Sequence, residues 1–147
     1  MKDLERVKSY LRQIKILDTK INRRMEQLSE IKSLATRVTS VITPDRVQTS
    51  GPGNNLENAM VRYLDIENEV KKTIDEYVET KNRIIKEIEQ LSDDRFISVL
   101  SMRYLDYLPW EDIADELYMS ERQVFRIHGK ALIAFSELLE QGDGLCA

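Results

Sequence analysis

The sequence predicts an all-α fold: a long antiparallel helical hairpin followed by a three-helix helix-turn-helix domain. Three observations predict it. Apolar residues recur in a heptad rhythm over residues 1–38 and again over 56–91, short turn signals divide residues 92–147, and only 3 of 147 residues are proline. Apolar residues spaced three and four apart form one stripe along a helix. We therefore expect two domains, residues 1–91 and residues 92–147.

The hairpin is predicted from two apolar seams. The first helix, residues 1 to about 38, has polar breaks at Asp18 and Lys32 in a seam of Leu4, Val7, Leu11, Ile14, Ile21, Met25, Leu28 and Ala35. The stretch TPDRVQTSGPGNN predicts a loop over about residues 40–56, because proline and glycine interrupt helices. Asn55 is a good N-cap residue, so the second helix should run from Leu56 to Leu91. Its seam is Leu56, Met60, Tyr63, Val70, Ile74, Tyr77, Ile84, Ile88 and Leu91, with Glu67 and Lys81 interrupting.

The charges of the two helices indicate how they pair with each other, and the narrow apolar seams indicate that the hairpin packs against a further partner. Residues 1–56 carry 11 basic and 6 acidic side chains, whereas residues 57–91 carry 6 and 9. Opposite net charges favour the pairing of the two coiled-coil-like helices, although two solvated faces would give the same pattern. A two-helix hairpin buries only a narrow stripe per helix. We expect it to pack against the C-terminal segment or a second copy of itself, and a homodimer is the simpler arrangement.

Three helices are predicted in the C-terminal domain, over Asp93–Tyr107, Pro109–Leu117 and about Ser120–Gln141. Ser92 is the predicted N-cap of the first, with Asp93 and Asp94 in its first turn. Pro109 suits the first position of the second helix, where a missing N–H has no cost. Ser120 should cap the third after a two-residue turn.

Apolar positions in these helices fit a helix-turn-helix core. The predicted core residues of the two motif helices are Ile113, Ala114, Leu117, Val124, Ile127 and Ala131. The preceding helix should contribute Phe96, Val99, Leu100 and Tyr104, with Trp110 closing one end.

The stretch FISVLSMRYLDYLPWEDIADELYMSERQVFRIHGKAL, Phe96 to Leu132, resembles region four of bacterial sigma factors. It is closer still to phage-encoded regulators of the ArpU and RinA type and to a family of phage proteins with a long-helix N-terminus. The resemblance implies transcription regulation through binding of promoter DNA, with RNA polymerase as a further partner. Tyr118 departs from the family pattern, which has glycine at this turn position. A positive φ there would cost a tyrosine about 1 kcal/mol.

The last helix is predicted to have a core face and a reading face. At about 100° per residue, the core face holds Val124, Ile127, His128, Ala131, Phe135, Leu138 and Leu139. The opposite face holds Arg122, Arg126, Gly129, Lys130 and Ile133, with Gln123 at its edge. Arginine can bind guanine, and glutamine adenine, with two hydrogen bonds, whereas lysine more commonly meets a phosphate. We therefore assign double-stranded DNA binding to Ser120, Arg122, Gln123, Arg126 and Lys130, against the alternative of an ordinary solvated helix face.

Composition and spacing argue against other kinds of site. Cys146 is the only cysteine and His128 the only histidine, so neither a disulfide framework nor a cysteine–histidine metal site can form within one chain. Adjacent carboxylates such as Asp93 and Asp94 point in different directions on a helix, unlike a catalytic pair. We expect no enzyme activity, no metal and no cofactor. There is no apolar run near the length of a membrane span and no apolar signal-peptide core, which favours a cytoplasmic protein without a membrane partner.

Net charge limits how DNA could be bound. Residues 92–147 carry 5 basic and 11 acidic side chains, and the whole chain has a net charge of −4. Non-specific affinity should therefore be poor, which fits a protein that binds as two copies or together with RNA polymerase. Arg23 and Arg24 of the first helix could add phosphate contacts. The competing hypothesis is an oligomeric helical interaction protein, such as a small DNA-packaging subunit.

Overall fold

A computed structural model describes residues 3–41 and 50–146, and these residues confirm the all-α prediction. Five α-helices contain nearly all of them: α1 (Leu4–Val41), α2 (Ser50–Glu89), α3 (Asp94–Leu100), α4 (Trp110–Leu117) and α5 (Glu121–Cys146). No strand occurs within the two described ranges. The chain divides into two compact units. We call Leu17–Glu76 the hairpin unit, and Met1–Ile16 with Tyr77–Ala147 the helix-turn-helix unit.

In the hairpin unit, the second part of α1 pairs with the first part of α2. Leu28, Ile31 and Val70 form its buried apolar seam. Thr73 is also buried, and its hydroxyl donates a hydrogen bond of 2.8 Å to the Glu69 carbonyl, which satisfies the buried polar group. Arg24 Nη1 lies 2.6 Å from Glu69 Oε2 on the opposite helix. This ion pair joins the basic α1 to the acidic α2, and it occupies one of the two arginines proposed to meet phosphates.

The predicted seams are wrong at three positions of this unit. Met25, Met60 and Ile74 are 51, 52 and 39 % exposed. Ile31 and Thr73 are buried instead. A strict seven-residue repeat drifts by about 20° per heptad relative to a straight α-helix, so seam residues chosen by heptad spacing turn gradually away from the partner helix.

The helix boundaries beside the predicted loop also differ from prediction. Helix α2 begins at Ser50, so Asn55 lies within the helix and does not cap it. Pro52 falls in the first turn, where a backbone N–H needs no partner within the helix. The rest of the predicted loop, residues 42–49, lies outside the described residues.

The helix-turn-helix unit is built around a core to which both halves of the sequence contribute. Val7, Leu11 and Ile14 of α1 pack with Ile84, Ile88 and Leu91 from the end of α2, and with Leu100, Tyr104, Ala131, Leu132 and Phe135. The Tyr10 hydroxyl donates a hydrogen bond to the Glu87 carboxylate and accepts one from Arg83 Nε at 3.3 Å. This core crosses the boundary between Leu91 and Ser92 at which the sequence predicts a division into domains.

Three helix ends in this unit correct the predictions. Asp93, and not Ser92, is the N-cap of α3, because its carboxylate accepts a 2.9 Å hydrogen bond from the Arg95 N–H. Pro109 is the N-cap residue of α4 and precedes its first helical position. The helix predicted over Asp93–Tyr107 leaves α-helical geometry after Leu100 and continues as a π-helical turn, Ser101–Leu105. Arg103 Nη1 donates a 3.0 Å hydrogen bond to the Leu108 carbonyl just beyond that turn and stabilises the chain reversal. In addition, α5 runs on to Cys146, beyond the predicted end near Gln141.

Within the described residues, no helix combines the length and the apolar character that crossing a membrane requires.

Candidate nucleic-acid interface

Helices α4 and α5 form the predicted helix-turn-helix around a second small core. Ile113 and Ala114 of α4 pack against Val124 and Ile127 of α5, with Val99 of α3 beneath them. All five are at most 7 % exposed. Leu117, Trp110 and Phe96 are partly buried around the same cluster. Ala114 is small where the two helices meet, so this core fixes one face of α5 and leaves the opposite face outward.

The turn between α4 and α5 has a left-handed residue at the position the sequence marks as unusual. Tyr118 has φ 54° and ψ 45°, and its side chain is 96 % exposed. The Tyr118 N–H bonds to the Asp115 carbonyl at 3.3 Å, and the Met119 N–H to the Ala114 carbonyl at 3.0 Å. These two bonds form a Schellman motif, in which glycine normally occupies the left-handed position. The turn therefore has a left-handed geometry that favours glycine, although a tyrosine occupies the position.

Helix α5 begins with a reciprocal pair of hydrogen bonds. The Gln123 N–H donates to Ser120 Oγ at 3.2 Å, and the Ser120 N–H donates to Gln123 Oε1 at 3.0 Å. This is a capping box, which satisfies one free donor at the helix start and the N–H of the cap residue itself. Ser120 is therefore the N-cap residue of α5, and this prediction is confirmed. The Gln123 side chain takes part in the cap, although the sequence pattern assigns it to the reading face.

Of the five residues assigned to DNA binding, Arg122, Gln123, Arg126 and Lys130 lie on α5, and Ser120 directly precedes its first turn. Ser120, Arg122, Gln123, Arg126 and Lys130 are all exposed. The predicted core face is buried at Val124, Ile127, His128, Ala131 and Phe135. Within the described part of the chain, no carboxylate forms a salt bridge with Arg122, Arg126 or Lys130. Three cations are therefore presented outward from a helix whose other side is fixed by the core.

Non-charged residues shape the same face. A Cβ placed on Gly129 would meet no atom within 4 Å, so close approach to a neighbouring helix does not explain this glycine. Ile133 is 43 % exposed, which leaves it uncovered at the middle of the face. Phe125, 50 % exposed, was not predicted here. Its position three residues after Arg122 and four before Gly129 would have placed it beside them on a helical projection.

Trp110 joins Phe125 to a cluster around the single histidine. The Trp110 ring centre lies 5.0 Å from that of Phe125 and 4.6 Å from that of His128, and Arg103 lies over the indole at 4.3 Å. His128 Nε2 is 2.8 Å from the Tyr104 hydroxyl, with the hydrogen-bond direction set by the imidazole tautomer. This packing is that of a structural histidine and agrees with the place of His128 on the predicted core face.

The electrostatic surroundings of His128 keep it neutral. Burial, followed by the positive charges of Lys8, Arg103 and Arg12, lowers the pKa of His128 from 6.5 to about 4. Lys8 and Arg12 belong to the first turns of α1, so the start of the chain brings positive charge toward α5. The acidity of residues 92–147 is therefore partly offset within the helix-turn-helix unit.

The described residues contain no candidate metal site. No group of three or more histidine, cysteine, aspartate or glutamate side chains among them could hold a metal ion.

The family described as Protein of unknown function (DUF1492) matches residues 38–136, more than half of the chain. The chain belongs to the DUF1492 family. The DUF1492 match extends from the end of α1 to Ser136 and includes the whole α4–α5 motif with its outward face. No curated protein and no solved structure matches the chain.

Proposed function

We propose that this DUF1492 protein is a phage or prophage transcription regulator that binds promoter DNA through α5, assisted by RNA polymerase or by a second copy of the chain. The observation that carries the proposal is the outward face of α5. Arg122, Arg126 and Lys130 are exposed there without ion-pair partners among the described residues. An α-helix held in this way fits the major groove of B-form DNA.

Each side chain has a distinct role in this proposal. Arg122 and Arg126 are four residues apart and one helical turn from each other, so both can reach base edges in one groove. Lys130, a further turn along, meets a phosphate. Ser120 lies at the N-terminal end of α5, where the helix dipole favours phosphate. Gly129 lets the DNA backbone approach α5 closely, a use that agrees with the open space around it.

The resemblance to sigma region four and to ArpU and RinA regulators supports the same function and supplies the phage context. The acidic net charge of the chain indicates that DNA binding requires a second protein. With only about three cationic contacts per copy, binding to DNA by one chain should be weak and salt-sensitive. RNA polymerase or a second copy would supply the remaining affinity.

Footprinting and gel-shift measurements on promoter fragments, with and without polymerase, test this function. Arg126→Ala should weaken binding to a mapped site by about 1–3 kcal/mol and leave helix content and thermal stability unchanged. Arg62→Ala is the matched control, because Arg62 is an exposed arginine on α2 in the other unit. It should retain wild-type affinity.

Equal affinity of wild type and Arg126→Ala for a mapped site would rule out α5 as the reading helix. Absence of promoter binding under both conditions, with self-association retained, would instead favour a helical interaction protein such as a small DNA-packaging subunit.

A further inference from the structure

The outer side of α2 in the hairpin unit carries apolar side chains that no described residue covers. Met60, Leu64 and Ile74 are 52, 52 and 39 % exposed. They belong to one heptad series along the helix, in which Glu67 and Lys71 occupy the intervening positions. Alternating steps of four and three residues are the repeat by which one helix packs against another. We call these five residues the outer stripe.

The outer stripe is separate from the seam that holds the hairpin together. On α2 that seam contains Val70 and Thr73, which are buried on the neighbouring side of the helix, so the seam and the stripe adjoin near Ile74. Among the described side chains of α1 in the hairpin unit, the exposed apolar residues form no comparable surface. Met25 and Leu34 are nine residues apart, and this spacing places them on opposite sides of an α-helix. Among the described residues of the hairpin unit, the stripe on α2 is therefore the exposed apolar surface with the spacing that suits a helical partner.

We propose that a second copy of this chain covers the outer stripe, with the two α2 helices antiparallel about a twofold axis near residue 69. In that register Glu67 of each copy faces Lys71 of the other, so the symmetry produces two identical ion pairs. On each side of the two ion pairs, Leu64 of one copy faces Ile74 of the other. A parallel register would instead set glutamate against glutamate and lysine against lysine, which is unfavourable.

Both charged residues can reach a neighbouring helix. Their side chains are 69 % exposed for Lys71 and 37 % exposed for Glu67, and they pair with each other across one helical turn at 3.5 Å. Exchange of the two intrachain pairs, one in each copy, for two pairs between copies therefore removes no contact with the hairpin seam. The apolar residues supply most of the association energy by burial, and the charges select the register. Val61, 58 % exposed, lies beside the stripe, and sequence spacing sets Met60 against Val78 of the second copy.

Charge reversal in the full-length chain tests both the surface and the register. Sedimentation equilibrium of the wild type should give twice the 17.2 kDa chain mass. Glu67→Lys alone, or Lys71→Glu alone, places like charges against each other at both ion pairs. Each should raise the dimer dissociation constant about tenfold or more. The double variant, Glu67→Lys with Lys71→Glu, restores opposite charges and should dimerise like the wild type.

Mixing the two single variants gives a second readout. One presents only lysines at the centre of the stripe and the other only glutamates, so an equimolar mixture should form a heterodimer although each alone is weakened. Glu76→Lys is the matched control, since Glu76 is exposed on α2 but off the stripe. This control should keep the wild-type dissociation constant. Circular dichroism verifies that every variant remains helical.

A wild-type chain that sediments as a monomer at about 100 µM would overturn the proposal, because that concentration is far above the dissociation constant of a specific dimer. Single variants that dimerise as tightly as the wild type would also overturn it. A dimer for which the double variant fails to restore association would reject the antiparallel register. No DNA is present in these measurements, so their outcome is independent of promoter binding.

Discussion

The two compact units share helices α1 and α2 but use their apolar residues differently. In the hairpin unit, the buried hydrophobic side chains among those described are Leu28, Ile31 and Val70, whereas Met25, Leu34, Met60, Val61, Leu64 and Ile74 are exposed. In the helix-turn-helix unit, both helices are covered further by α3 and α5, and Leu11, Ile14 and Ile84 are fully buried. A pair of helices buries one stripe each, and a third layer is required before a broad face can be buried. Apolar patterning alone does not say where that layer lies.

The largest expected difference between the units comes from one substitution made twice on α1. Leu11 in the helix-turn-helix unit is 0 % exposed, and Leu34 in the hairpin unit is 54 % exposed. Leu11→Ala should lower the free energy of unfolding by about 2–5 kcal/mol, because it removes buried methyl groups and leaves a cavity. Leu34→Ala should change it by no more than about 0.5 kcal/mol. Chemical denaturation followed by circular dichroism measures both free energies. Similar losses of stability for the two variants would contradict the proposed difference in burial between the two units.

Acid should affect the helix-turn-helix unit through His128. The pKa of His128 is about 4 in the folded chain, below its ordinary value of 6.5. The unfolded chain therefore takes up a proton first, and the stability that this group contributes is complete above about pH 6.5 and lost as the pH falls toward 4. The loss should amount to about 1–2 kcal/mol, after the upper limit set by the shift is reduced for solvent screening.

Hydrogen exchange resolved by peptide can locate that acid effect. Protection should decrease with falling pH in α3 and α5, and His128→Gln, which does not titrate, should have a flatter dependence of stability on pH. An unchanged pH dependence in His128→Gln would show that other groups are responsible.

Much of this fold follows from local sequence patterns, and the failures have identifiable physical causes. The core of α4 and α5 was predicted residue by residue, because apolar spacing over a short helix fixes its inward face. Met25, Met60 and Ile74 were misplaced because drift accumulates over a long helix. The π-helical turn at Ser101–Leu105 depends on tertiary contacts, including the Arg103 bond to the Leu108 carbonyl, that no local pattern records.

The candidate site was predictable to a similar degree. Arg122, Arg126 and Lys130 could be assigned to an outward face by helical periodicity. Phe125, which is 50 % exposed, could have been found in the same way, but it belongs to neither of the two faces predicted from the sequence. The effect of the Lys8 and Arg12 charges on the pKa of His128 could not be predicted from the sequence, since it depends on how the start of α1 packs in three dimensions.

A substitution at Tyr118, in the turn between α4 and α5, should raise the stability of the chain, by less than Leu11→Ala lowers it. Tyr118→Gly should stabilise the chain by about 0.5–1 kcal/mol, because glycine adopts a positive φ without steric cost and the exposed ring contributes no packing. Tyr118→Ala should give no such gain, since alanine retains the Cβ that conflicts with this conformation. Thermal unfolding compares the two variants, and equal stability of both would show that the left-handed turn is not a source of strain.

Gly129→Ala should produce a small change in stability together with a diagnostic change in binding. The added Cβ meets nothing within 4 Å, so helix propensity should raise stability by about 0.5–1 kcal/mol. Under the proposed function, the same methyl group should weaken promoter binding because it obstructs the DNA backbone. Gly142→Ala, also without neighbours within 4 Å, is the control on the same helix and should leave binding unchanged. Unaltered binding by Gly129→Ala would exclude a close backbone approach at this position.

The capping box restricts what Gln123 can read. Recognition of adenine by glutamine requires the amide oxygen to accept a hydrogen bond from the base amino group while the amide nitrogen donates to N7. In this protein the oxygen already accepts the Ser120 N–H. In the closed cap, one lone pair of this oxygen is used and the amide is oriented toward Ser120, while the amide hydrogens can address acceptors such as purine N7, guanine O6, thymine O4 or a phosphate. Discrimination of adenine at that position therefore depends on how the closed cap orients the amide, which links base identity to the stability of the helix end.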